Sequence, residues 1–158
     1  MPNEYTKMKI DLLKNKIDII LASKETKENK LQAICDVLEK EVSYYDWVGF
    51  YFKNGDKEEL KLAQYTGEET EHTIIPFGKG ICGQVAISNQ NFVVQDVSEQ
   101  DNYISCGWKV KSEIVIPIFI EGENIGQIDI DSHTANIFTP LDEQLLEYVC
   151  KEVVTILN

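Results

Sequence analysis

Two apolar runs in the C-terminal half constrain the fold most. Residues 113–120 read EIVIPIFI and residues 124–131 read NIGQIDID, separated only by Glu121-Gly122-Glu123. Runs this rich in isoleucine and valine, with a glycine turn between them, predict two antiparallel strands joined as a hairpin. Asp129 and Asp131 stand two apart in the second run, so both side chains project from one face, while Ile128 and Ile130 project from the other. One face of the sheet is therefore apolar core and the opposite face carries acids. The turn also folds Glu113, at the start of the first run, back toward the 129–131 end of the second.

The rest of the chain supplies partners for that hairpin. Ile10, Leu13, Ile17, Ile20 and Leu21 recur at helical spacing, as do Leu31, Ile34, Cys35, Leu38 and Val42. Between them SKETKENK offers Ser23 or Thr26 as a cap for the second helix. A last helix is predicted over about 140–157, with Thr139 as its cap, Pro140 in its first turn, and Leu145, Leu146, Val149, Cys150, Val153 and Ile156 on one face. Strands are predicted at 46–52, 59–65, 73–76 and 92–94, with a turn at Asn54-Gly55-Asp56 and a short helix, ICGQVAIS, after Gly78 and Gly80. From Asp96 to Ser112 the chain is polar and irregular, and a loop of that length is usually functional or disordered. The expected architecture is α+β, one domain over residues 1–158. A mainly antiparallel sheet would carry the helices near 8–21, 28–42 and 140–157 on one face and a loop-covered pocket on the other.

Charge and cysteine usage narrow the function. A formal net charge of −12 repels phosphate backbones, so a nucleic-acid partner is not expected. No run reaches the ~20 apolar residues that span a bilayer, and the charged N-terminus does not resemble a secretory signal, so a cytoplasmic protein without a membrane partner is expected. None of the four cysteines is in CxxC spacing, and structural disulfides are not expected in a reducing compartment. Cys35 and Cys150 lie on apolar helical stripes and read as core. Cys106 lies in the polar loop, where an exposed thiolate is reactive. Cys82 opens the short helix, whose positive end lowers a thiol pKa, but Ile81 and Val85 beside it fit a packing role equally well. His72 and His133 show no ligand spacing, and Gly78-Lys79-Gly80 lacks the phosphate-binding loop pattern, so neither a metal nor a cofactor is expected.

DWVGFYF, IPFGKGICGQVA, KSEIVIPIF and IGQIDIDS stand in an order and spacing that resemble the free methionine-(R)-sulfoxide reductases, enzymes of the GAF fold, from about Asp46 to Phe138. The resemblance implies reduction of the free amino acid, with Cys106 as nucleophile and Cys82 as a second family cysteine. It implies a substrate pocket acidified by Glu113, Asp129 and Asp131 and walled by Trp47 and Tyr51, converging on a metabolite-sized cavity under the 96–112 loop. It also implies a thioredoxin-like reductant and leaves a homodimer open. One position departs from the pattern: His72 stands where many members carry a third cysteine that resolves the oxidised nucleophile. That departure keeps a second reading in view, a non-catalytic GAF domain that binds a small molecule as a sensor.

Overall fold

The computed structural model describes residues 4–100 and 109–157. The elements are α1 (Glu4–Ala22), α2 (Lys27–Glu41), β1 (Trp47–Lys53), β2 (Glu59–Thr66), β3 (Ile74–Pro76), α3 (Gly80–Ser88), β4 (Phe92–Val94), β5 (Ser112–Ile120), β6 (Glu123–Ser132) and α4 (Pro140–Val153). Short 3-10 turns follow β4 (Val97–Glu99) and α4 (Val154–Ile156). The six strands form one sheet in the order β3-β2-β1-β6-β5-β4, every neighbouring pair antiparallel. The α+β architecture expected from the sequence is the observed one. Among the described residues no helix is long and apolar enough to cross a membrane.

Period-two alternation splits the sheet into two chemically different faces. Val48 and Phe50 of β1, Ile114, Ile116 and Ile118 of β5, and Ile128 and Ile130 of β6 pack against α1, α2 and α4 in one large core. Trp47, Tyr51 and Val115 point the other way, into a smaller cluster with Ile81, Cys82 and Val85 of α3. Covering of this second face by a helix as well as loops follows from Gly78 (φ +88°) and Gly80 (φ +62°), which turn the chain into α3 in conformations open to glycine. α1 starts earlier than the predicted 8, because residues 4–7 contain no helix breaker. α4 ends earlier than 157, its last residues tightening into the 3-10 turn. Thr26 rather than Ser23 caps α2, its hydroxyl accepting from the Asn29 N–H at 3.1 Å, while the Ser23 hydroxyl closes α1 on the Ile20 carbonyl.

One buried acid ties the helical layer to the sheet, and periodicity does not mark it. Asp142, 3% exposed, sits in the first turn of α4. Its Oδ1 accepts from the hydroxyls of Tyr44 and Tyr45, both at 2.7 Å, and its Oδ2 accepts the Thr139 backbone N–H at 2.7 Å. Burial and the Asp142 charge push both tyrosine hydroxyls up in pKa, so they remain donors. Hydrogen bonds to a charged acceptor contribute about 1.5–3 kcal/mol each, and removing the acceptor strands buried donors. Asp142→Ala is therefore expected to lower stability by at least ~2 kcal/mol in urea unfolding, with Asp142→Asn recovering part of the loss because its carbonyl still accepts.

Candidate active site

Strand register builds the site. Across β5 and β6, Glu113 faces Asp131 and Val115 faces Asp129. Across β1 and β6, Trp47 faces Asp131, Gly49 faces Asp129 and Tyr51 faces Gln127. Directly opposed residues share a face, so Trp47, Asp131 and Glu113 form one row and Gly49, Asp129 and Val115 the next. Cys82 reaches this surface from α3, its sulfur 3.8 Å from Glu113 Oε2, and the Gln127 side-chain amide holds α3 in place by donating to the Cys82 carbonyl at 3.1 Å.

The aromatic wall depends on a missing side chain. A Cβ on Gly49 would lie 2.4 Å from the Trp47 ring, so only glycine lets the indole lie across β1. There it stacks on Tyr65 with centroids 5.5 Å apart and stands 6.3 Å from Tyr51. The Trp47 indole N–H donates to the Glu68 carbonyl at 3.0 Å, and the Tyr51 hydroxyl donates to the His72 carbonyl at 2.8 Å. These two bonds tie the β2–β3 connection to the wall of the site.

Its electrostatics are those of buried acids packed side by side. Glu113, Asp129 and Asp131 are each at most 3% exposed. Asp129 Oδ1 and Asp131 Oδ1 are buried with no hydrogen-bond partner, and among the described residues neither aspartate forms an ion pair. Burial raises the pKa of Asp129, and burial together with the Asp129 charge holds Asp131 well above the usual carboxylate range; hydrogen bonding with Glu113 pulls both the other way. Burial and the neighbouring charge thus favour the protonated forms of Asp129 and Asp131, which can then act as proton donors. Of the two readings open for Cys82, the surroundings of its thiol favour packing over activation. Burial, then the charges of Asp129, Glu113 and Asp131, push its pKa well above the usual thiol value. Its place at the start of α3 does not make it a thiolate, because three nearby carboxyl groups outweigh the partial charge of one helix end.

Trp47, Tyr51, Cys82, Glu113, Asp129 and Asp131 are thus brought together, as the sequence suggests. Cys106 lies outside the described residues. Among the described residues two small cavities border these groups, about 20 Å³ beside Tyr51, His72, Cys82, Glu113 and Asp129, and about 40 Å³ beside Trp47, Glu68, Asp131 and His133; residues 101–108 of the loop expected to cover them lie outside the described residues. The Trp47 indole, lying over Gly49, takes up the room between β1 and the β2–β3 connection. Gln127 is the buried residue of this face that the sequence reading missed; its place two before Asp129 on the same strand is the signal that marks it. Of the histidines, His133 faces outward, its ring 3.6 Å from Asp46 Oδ2, while His72 borders the smaller space. Cys82, Glu113 and Asp129 are the described residues whose ligand atoms converge closely enough to hold a metal ion.

With this geometry in place, comparison with known proteins identifies the fold family. Residues 25–158 match the GAF domain family. The chain belongs to that family. A GAF domain-containing protein A of Dictyostelium discoideum is 32% identical over 135 residues, covering 85% of this chain and 84% of that protein. The free methionine-R-sulfoxide reductase of Saccharomyces cerevisiae is 36% identical over 108 residues, 67% of this chain but only 59% of the yeast protein. Among solved structures, the free methionine-R-sulfoxide reductase of Neisseria meningitidis in complex with its substrate superimposes with a TM-score of 0.87 at 31% identity, covering 93% of this chain and 87% of that one. The free methionine-R-sulfoxide reductase of Escherichia coli is a further relative of this GAF chain, 35% identical over 112 residues, covering 71% of this chain and 66% of that protein.

The raised aspartates fix the sign of a pH effect. Both bind a proton more tightly in the folded than in the unfolded chain. Their contribution to stability is fully present below the ordinary aspartate value of 3.8 and is lost as pH rises through the higher folded values. Asp131→Asn is expected to raise the melting temperature near neutral pH, by about 1 kcal/mol of stability or more, and to flatten its fall between pH 4 and 7. Melting curves across that range, in the presence of a chelator, measure both.

Proposed function

We propose that this GAF chain reduces free methionine-(R)-sulfoxide to methionine with a thiol as the electron source. The observation that carries the reading is the buried trio Glu113, Asp129 and Asp131, with two carboxylate oxygens that lack a donor. A free amino acid brings an ammonium group, which is what such oxygens need; a methionine inside a peptide has none. Trp47 and Tyr51 give the methyl-sulfur end an apolar wall, and a protonated aspartate gives the sulfoxide oxygen an acid.

The chemistry balances as follows. The Cys106 thiolate attacks the sulfoxide sulfur while a carboxyl group of the trio delivers a proton to the oxygen. The sulfur–oxygen bond of the substrate breaks, oxygen passes to the Cys106 sulfur, and methionine and a sulfenic acid remain. Cys82 serves as the second thiol. It attacks the sulfenic sulfur while its own proton passes, by way of the neighbouring carboxylate, to the departing hydroxide; the sulfur–oxygen bond breaks, water leaves, and a Cys82–Cys106 disulfide forms. A thioredoxin-like dithiol then reduces the disulfide and is itself oxidised. The carboxyl proton spent in the first step is regained when the re-reduced Cys106 thiol ionises for the next turnover.

A sensor reading is favoured by one observation, His72 in place of the third family cysteine. The two readings separate in one assay. Incubation with the R and S epimers of free methionine sulfoxide, with dithiothreitol and then with thioredoxin, is expected to yield methionine from the R epimer alone. Cys106→Ser is expected to abolish it under either reductant, and Asp129→Asn or Asp131→Asn to lower kcat/KM by at least ~10²-fold. Folded protein that forms no methionine from either epimer overturns the reductase reading in favour of the sensor. Mass spectrometry after one turnover tests the second thiol: a Cys82–Cys106 disulfide supports its role, and a lone oxidised Cys106 removes it.

A further inference from the structure

Cys82, Glu113 and Asp129 come from α3, β5 and β6, yet one ligand atom of each lies within 4.8 Å of the other two. The sulfur stands 3.8 Å from Glu113 Oε2. Asp129 Oδ1 is a buried oxygen with no partner, and Asp129 itself is 2% exposed. Lys79 borders the same space, but it is exposed and forms no ion pair among the described residues. The cluster therefore gathers two acids and a thiol around the unmet Asp129 Oδ1, and among the described residues Asp129 forms no ion pair.

We propose that Cys82, Glu113 and Asp129 form a binding site for one borderline-soft divalent cation of the Zn²⁺ class. The donor set decides the class. One sulfur with two carboxylate oxygens suits zinc, whereas magnesium and calcium take oxygen ligands alone and in larger number. Bonds of about 2.0–2.3 Å at tetrahedral angles put neighbouring donor atoms about 3.3–3.8 Å apart, so the present separations close with shifts of about 1 Å or less. With the ion seated among the three ligand atoms, the space beside them, about 20 Å³, has room for one water. Coordination forms a metal–sulfur bond, the thiol proton leaves to solvent, and no oxidation state changes. Water fills the fourth position. An ion there occupies the acids assigned above to the substrate ammonium, so it inhibits turnover reversibly. That consequence rests on the reductase reading; binding itself does not.

Zn²⁺ titrated into reduced, chelator-stripped protein, in competition with a chromogenic chelator, tests the site. The expected result is one ion per chain, unaffected by excess Mg²⁺ and retained in Cys106→Ser. Cys82→Ser and Asp129→Asn, each checked for native circular dichroism, are expected to weaken it by at least ~10-fold. Cd²⁺ is expected to give a sulfur-to-metal charge-transfer band that disappears in Cys82→Ser alone. No stoichiometric binding, or a band and affinity that survive Cys82→Ser, overturns the proposal. The two claims fail separately. Zinc bound by a protein that forms no methionine leaves the metal site standing without the reductase, and active protein that binds no zinc does the reverse.

Discussion

The pairing of β6 with both its neighbours is the constraint on which the rest depends. β6 lies at the middle of the sheet, between β1 and β5. Over its second half Ile128 and Ile130 enter the helical core, while Gln127, Asp129 and Asp131 alternate with them on the opposite face. A one-residue slip would exchange the two sets, driving two aspartates into hydrocarbon and two isoleucines into the acid site. The core thus fixes the register, and the register fixes the acids. Glu113 meets Asp131 because Ile114 meets Ile130.

That coupling explains how the protein tolerates a site that works against its own stability. Buried, unpaired carboxyl groups are unfavourable unless protonated or met by a cation. They persist where surrounding structure over-determines them, and here the large core on the opposite face of the same three strands does so. Asp142 offers the contrast within one chain. It is equally buried, but two tyrosine hydroxyls and a backbone N–H saturate it, so it is a fastener. Asp129 and Asp131 keep an oxygen each without a donor, so they are available to a ligand.

The sequence made the strands legible because period two is visible in EIVIPIFI and NIGQIDID, and the turn between them places Glu113 against the aspartates without further information. Cys35 and Cys150 were legible as core for the same kind of reason, their place on helical stripes. What it hid were properties that arise between elements distant in sequence. The Cys82 thiol looks activated when only its helix is considered, and is deactivated once β5 and β6 deliver their acids. The size of the site could not be read because it turns on Trp47 lying across Gly49, a rotamer choice made by Tyr65 and the Glu68 carbonyl. Asp142 looked like an ordinary first-turn acid because its tyrosine partners lie almost a hundred residues away in the chain.

The central claim is that the buried acids recognise the ammonium group of a free amino acid. Acetylating the substrate nitrogen removes that charge and leaves the sulfoxide unchanged, so kcat/KM for the R epimer with and without the acetyl group tests the claim most directly. A site built around unmet acceptors rejects a ligand that lacks the matching donor, and the account predicts a fall of at least ~10³-fold on acetylation. Comparable kcat/KM for the free and acetylated compounds would contradict it.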